Sequence, residues 1–201
     1  MYTTSNLLIL FSCLSLAIVS SAYQTAPASF NVLFTTTKGS FNLYVNRSWA
    51  PNGADHFYQL VQSEYYNENA FFRVIQSPTP FVAQWGISGS PEISEKWNIT
   101  IPDDPIFQSN LPGTVTYAAE MNGTMACCRT TQLFINYVNN SRLDAMGFVP
   151  FGIITKGFNV TMDFYSGYGE EPDQTEIYSE GNPYLEKNFP LLDYIVTANV
   201  V

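Results

Sequence analysis

Phe71-Phe72-Arg73-Val74-Ile75 and Phe81-Val82-Ala83-Gln84-Trp85-Gly86 are joined by Gln76-Ser77-Pro78-Thr79-Pro80. Aromatic and β-branched runs separated by a Pro-rich turn read as two neighbouring strands. One cation, Arg73, and one amide, Gln84, stand among apolar residues. A bare cation in such company is costly unless something polar is brought to it. A peptide carbonyl is the natural candidate.

Outward from this pair the same signals recur. Phe30 to Thr37 reads as a strand, Lys38-Gly39 as a turn, and Ser40 to Val45 as the returning strand of a hairpin. Trp49-Ala50-Pro51 opens a helical segment, because Ala54, Phe57, Tyr58, Val61 and Tyr65 fall at helical spacing. Pro51 suits an early helical position. Downstream, Thr114 to Ala118, Gln132 to Asn136, Phe148 to Ile154 and Tyr194 to Val200 read as strands, and Phe158 to Tyr165 as a short helix. Residues 88–112 hold five prolines or glycines and are expected to form a long loop. Glu120 to Thr131 reads as a polar loop, Asn140 to Met146 as a polar connection, and Ser166 to Asn182 as a Gly- and acid-rich surface loop. Many short strands with few helices predict an antiparallel barrel. There is no internal repeat.

The N-terminus carries a different signal. Leu7 to Val19 is an almost unbroken apolar run of about 13 residues, the length of a signal-peptide core. Ser20-Ser21-Ala22 supplies small residues for cleavage, although no Lys or Arg precedes Leu7. The run is short for a spanning helix, which needs about 20 apolar residues. The expected organisation is a signal peptide over 1–22 and one domain over 23–201. Sequons at Asn46, Asn98, Asn122, Asn139 and Asn159 fit a secretory route. A cleaved signal would leave no stable membrane contact.

Composition excludes some partners. The chain carries 17 Asp+Glu against 8 Lys+Arg, a net charge of −9. Phosphate backbones and anionic membranes would repel it, so nucleic-acid binding is not expected. Hydrophobic residues make up 46% of the chain and aromatics 15%, enough for a sizeable core. The adjacent pair Cys127-Cys128 suggests no disulfide framework, since neighbouring Cα atoms lie about 3.8 Å apart. His56 is the single histidine, and its helical placement favours a structural role over a nucleophilic triad. No Cys/His/carboxylate cluster has metal-ligand spacing, so no metal or cofactor is expected. Asp103-Asp104 and Glu170-Glu171 read as solvated loop charge rather than catalytic pairs.

In order along the chain stand Phe72-Arg73-Val74-Ile75, Phe81-x-x-Gln84-x-Gly86, Gly113 to Ala118, Gln132-Leu133-Phe134-Ile135, Leu143-Asp144 and Phe151-Gly152. This order resembles the cyclophilin-type peptidyl-prolyl isomerases, over roughly Asn31 to Val201. Ser166-Gly167-Tyr168-Gly169, Glu180-Gly181-Asn182 and Phe189-Pro190 are similar to a subgroup common in bacteria and some protists. The resemblance implies a mainly β fold, an eight-stranded antiparallel barrel capped by two helices. It implies catalysis of rotation about X-Pro peptide bonds in proline-containing polypeptides. Together with the signal-like N-terminus and the sequons, the expected role is to assist folding in the secretory pathway, as a monomer.

Position by position, the resemblance makes Arg73 the catalytic arginine and Gln84 the glutamine that helps place the substrate backbone. Phe81, Phe134 and Leu143 match walls of the proline pocket, Val82 stands in that pocket where the family usually has Met, and Ala118 lines the neighbouring groove. Two positions differ from the animal members. Phe148 stands where those proteins have a pocket histidine, and Arg142 where they have a tryptophan that contacts cyclosporin, which implies weak cyclosporin binding. The alternative reading is a catalytically weak module that only binds proline-containing peptides.

Overall fold

The computed structural model describes residues 24–201. The expected signal peptide lies outside the described residues. Among the described residues no helix is long and apolar enough to cross a membrane.

The first hairpin sets the frame. Strands β1 (Ser29–Thr36) and β2 (Gly39–Asn46) pair from Ser29↔Asn46 to Thr36↔Gly39. Alternate residues point inward: Phe30, Val32 and Phe34 from one strand, Phe41, Leu43 and Val45 from the other, all buried. Phe34 and Phe41 are register partners and stack with ring centroids 4.7 Å apart. Such cross-strand pairs hold a sheet in register. The turn closes at Gly39, whose φ of 132° suits a residue without a Cβ.

Helix α1 (Pro51–Gln62) follows and lays Ala54, Phe57, Leu60 and Val61 on the sheet. Pro51 occupies its first turn, as the sequence suggested, but Ala50 offers no side-chain cap. The cap comes from far away. The Asp104 carboxylate accepts the backbone N–H groups of Asn52 and Gly53, each at 2.9 Å. It also accepts from the Arg129 guanidinium at 3.1 Å. The reading of Asp103-Asp104 as solvated charge therefore fails for Asp104, whose side chain is 1% exposed.

Beyond α1 come β3 (Arg73–Val74), β4 (Val82–Trp85), β5 (Thr114–Tyr117), β8 (Leu133–Asn136), β9 (Pro150–Lys156) and β10 (Ile195–Val200). With β1 and β2 they form one eight-stranded antiparallel sheet in the order β10-β1-β2-β9-β5-β8-β4-β3. The sheet curls around Phe34, Phe41, Phe57, Phe71, Trp85 and Phe151, all fully buried. The expected barrel is thus a curled sheet. Its ends meet through an isolated Ala70↔Tyr194 bridge, supported by Phe71 N–H donating to the Asp193 carbonyl at 2.9 Å and Ile195 N–H to that of Asn69 at 2.9 Å.

The helices depart from the expected pair. Helices α1 and α3 (Phe158–Met162) lie on the sheet, and α3 is shorter than the segment read from the sequence. Three further helices were not expected: α2 (Pro91–Trp97) within the supposed loop 88–112, and α4 (Gln174–Glu180) and α5 (Asn182–Asn188) in and beyond the acid-rich loop. Helices α4 and α5 share a second core with Ala70, Phe72, Ile87, Ile177, Leu185 and Leu192, and α2 packs against α4. Asp173 caps α4 by accepting from Thr175 N–H at 2.7 Å. The supposed loop Glu120 to Thr131 holds a hairpin, β6 (Glu120–Asn122) and β7 (Met125–Cys127), turning at Gly123.

His56 is 3% exposed, with its ring beside Trp97 and Tyr117. Its Nε2 has no hydrogen-bond partner. Burial pushes its pKa down to about 4, with the nearby Arg129 charge adding to the effect. The folded state thus keeps the ring neutral where the unfolded chain would bind a proton. Stability from this group is complete above about pH 6.5 and is lost as pH falls toward 4. The loss is expected to reach up to about 3 kcal/mol. Asp55 and Asp144 titrate lower. Burial opposes their ionisation, but hydrogen bonds from Arg47 and from Ser109 and Asn110 hold them below the usual carboxylate value. Urea midpoints at pH 7 and pH 4.5 check this: His56→Phe should flatten the difference, and an unchanged slope would assign it elsewhere.

Candidate active site

Arg73 and Gln84 are register partners across β3 and β4. Gln84 pairs with Phe134 of β8, and Phe134 with Thr116 of β5. This antiparallel row carries a cation, an amide and an aromatic ring to one patch of the sheet. Above it, a 3-10 turn at Ser141–Met146 drops Leu143 onto Phe134 and Val82. The turn is tied down at both ends. Asn140 Nδ2 donates to the Phe81 carbonyl at 3.1 Å, and Gly147 ends the turn with φ 88°. Asp144 accepts from Asn110 Nδ2 at 2.7 Å and Asn110 N–H at 2.9 Å.

The result is a concave site of about 270 Å³. Arg73, Phe81, Val82, Gln84, Ala118, Phe134, Leu143 and Phe148 all line it, so the structure brings every expected site residue together. The floor is apolar: Val82, Phe134 and Leu143 are buried and pack together. Phe148 meets Phe134 edge-on, with centroids 5.9 Å apart and planes at 69°. Phe148 therefore serves as an aromatic wall.

Arg73 stands at the rim with its side chain 26% exposed. Its Cζ lies 5.7 Å from the centre of the Phe81 ring. Its Nη1 donates to Gln84 Oε1 at 3.3 Å. Gln84 Nε2 donates to Gln132 Oε1 at 2.7 Å, and Gln132 Nε2 to Gln174 Oε1 at 3.0 Å. This relay of amides fixes which end of Gln84 meets the cation. Glu170 holds the other side of Arg73, accepting from Nε and Nη2 at 2.9 Å each. Glu170 is solvent-exposed, as the sequence suggested, but its pairing with Arg73 was not expected. Arg142 lies over Phe81 as well, its Cζ 4.8 Å from the ring centre.

Three lining residues escaped the sequence reading: Ala119, Met121 and Met146. Met146 follows Leu143 by three residues, the spacing that eclipses side chains in a 3-10 turn, so a signal existed. Met121 comes from the β6–β7 hairpin, where the sequence suggested a loop.

A second concavity of about 360 Å³ shares Gln84, Ala118 and Ala119 with the first. Its remaining lining is polar and includes Glu120, Gln132 and Cys128. Cys127 and Cys128 are both free, with sulfurs 2.8 Å apart. The contact with Cys128 pushes the Cys127 thiol up to about 11, so it stays protonated at neutral pH. Among the described residues no group of three or more His, Cys, Asp or Glu is placed to hold a metal ion.

The model of the family described as cyclophilin type peptidyl-prolyl cis-trans isomerase matches residues 31–179. The chain belongs to that family. It is 32% identical over 152 residues to peptidyl-prolyl cis-trans isomerase A of Dickeya dadantii, covering 73% of this chain and 76% of that protein. It is also 32% identical over 146 residues to a peptidyl-prolyl cis-trans isomerase of Acinetobacter baylyi, covering 67% of this chain and 71% of that one. Among solved structures, a Cryptosporidium parvum cyclophilin superposes with a TM-score of 0.61 over 86% of this chain and 98% of its own, at 19% identity. That likeness supports the cyclophilin fold of the curled sheet.

Proposed function

We propose that this cyclophilin catalyses cis-trans rotation about X-Pro bonds by seating the proline ring on Phe134, Val82 and Leu143 and presenting the Arg73 guanidinium to the amide nitrogen. The observation that carries the reading is Arg73 at the rim of an apolar pocket that also holds Phe81, Gln84 and Phe134.

The chemistry needs little more. Amide resonance opposes rotation by about 18–20 kcal/mol. X-Pro bonds populate both isomers but exchange over tens of seconds or longer. At the twisted transition state the resonance is lost and the nitrogen gains a lone pair. An N–H donor there stabilises the twisted amide more than the planar one, which is differential binding. Arginine keeps its donors charged at any working pH. Held in place beside an apolar wall, it needs no reorganisation when the charge develops. No nucleophile or proton transfer is required. A C. parvum cyclophilin of the same fold was crystallised in the presence of the dipeptide Ala-Pro, in keeping with a proline-containing ligand for this cleft.

The setting we infer is the secretory pathway, with the 1–22 segment removed as a signal and the isomerase assisting exported chains. The sequon residues Asn98, Asn122, Asn139 and Asn159 are exposed, as glycan attachment requires. Arg142 in place of a tryptophan leaves a cation on the Phe81 face, so cyclosporin inhibition should be weak; nanomolar inhibition would contradict this placement.

The test is a proline-switch assay on a short X-Pro peptide with the purified domain. Acceleration over the uncatalysed rate supports the enzyme. Saturable binding without acceleration would leave only the peptide-binding module.

A further inference from the structure

Strand β3 is two residues long and lies at the end of the sheet. Its outer edge is not bare. Val74 N–H donates to the Gly169 carbonyl at 3.1 Å, so the 163–173 connection runs alongside the strand that carries Arg73. That connection is held in a fixed shape. Gly169 N–H donates to the Ser166 carbonyl at 3.1 Å and Glu171 N–H to that of Tyr168 at 2.9 Å. Tyr165 N–H donates to Asp193 Oδ2 at 2.7 Å, and Tyr168 packs edge-on against Phe189 with centroids 5.1 Å apart. Gly169 has φ 55°, a left-handed value that favours glycine. The backbone bond to Val74 thus places Glu170 beside Arg73.

The side chains meet accordingly. Glu170 Oε2 takes Nε and Nη2 of Arg73 at 2.9 Å each. Gln84 takes Nη1. Of the five guanidinium N–H groups, one on Nη1 and one on Nη2 remain for a substrate. Without Glu170, Arg73 would keep one 3.3 Å hydrogen bond and the face of Phe81 as anchors. A long flexible side chain so held would spend much of its time away from the pocket. Glu170 is 67% exposed, so the pair contributes little to folding stability. Its effect belongs to orientation, where small misplacements cost rate.

We propose that Glu170 is a positioning residue for Arg73, delivered by the 163–173 connection and fixing the guanidinium so that Nη1 faces the proline pocket. The inference rests on the reading of Arg73 as the catalytic group. The experiment compares Glu170→Ala and Glu170→Gln in the wild-type and Arg73→Ala backgrounds, with kcat and KM measured on the same X-Pro peptide. In the wild-type background Glu170→Ala should lower kcat about tenfold, with KM within about twofold. Glu170→Gln keeps an acceptor and should lose less, about threefold. In the Arg73→Ala background, assayed at proportionally higher enzyme concentration, neither change should lower kcat further, because the coupled partner is gone. Thermal midpoints should match the wild type, and the Arg73 Nε–H resonance should broaden or vanish in Glu170→Ala. Wild-type kcat in Glu170→Ala, or the same fold-loss in both backgrounds, would overturn the positioning role and leave Arg73 as the catalytic group. Full activity in Arg73→Ala would remove both readings together.

Discussion

Arg73→Ala should lower kcat by about 10²–10³-fold while leaving the fold intact. The expected size is that of removing one preorganised donor aimed at developing charge. The side chain is 26% exposed and its ion pair with Glu170 faces solvent, so the change in stability should stay within about 1 kcal/mol. KM should hardly move, because the pocket floor of Val82, Phe134 and Leu143 is untouched. A loss carried by KM instead would mean that Arg73 binds planar and twisted amides alike. Arg73→Lys should recover little, since lysine lacks the planar fork that reaches Glu170, Gln84 and the pocket together.

The second large effect concerns the fold. Asp104→Ala should destabilise the domain by about 3–5 kcal/mol. Two losses combine. The backbone N–H groups of Asn52 and Gly53 lose their acceptor at the start of α1. Arg129, whose side chain is 4% exposed, loses its buried counter-charge. It would keep the Pro102 carbonyl, the face of Tyr117 at 5.6 Å and Asp103 at 3.4 Å, whose own side chain is 65% exposed. An uncompensated charge in that place is costly. For a domain of this size the midpoint should fall by roughly 10 °C. Asp104→Asn keeps an acceptor for the helix and should cost less than alanine. A drop below about 1 kcal/mol for alanine would show that Arg129 reaches water freely when its partner is removed.

Much of this protein was legible in its sequence, and the reason is local. The hairpin of Phe30 to Val45 alternates apolar and polar residues, and the structure buries Phe30, Val32, Phe34, Phe41, Leu43 and Val45. The α1 stripe of Ala54, Phe57 and Val61 is equally direct. Helix α2 was illegible because it is seven residues long and buries Ser94, while Ile93 is 43% exposed. No apolar stripe exists to be read. Helices α4 and α5 bury only Ile177 and Leu185, and lie within and just beyond the acid-rich stretch that reads as loop. The eight residues that the resemblance pointed to all converge on the proposed proline pocket, whereas Ala119, Met121 and Met146 were missed. Asp104 was misread as solvent charge, and the pairing of the exposed Glu170 with Arg73 was missed, for one reason. Asp104 meets Gly53 across 51 positions, and Glu170 meets Arg73 across 97. Pairings at such separation leave no periodic trace.

Two-dimensional exchange NMR on an uncleaved Ala-Pro peptide reads rotation and binding in one sample, and so tests directly whether Arg73 acts on the twisted amide. With the wild-type domain, cis and trans proline signals should show exchange cross-peaks, and resonances of Phe81, Phe134 and Leu143 should shift as peptide is added. With Arg73→Ala the shifts should persist at similar peptide concentration while the cross-peaks disappear. Cross-peaks of undiminished intensity with Arg73→Ala would contradict the account.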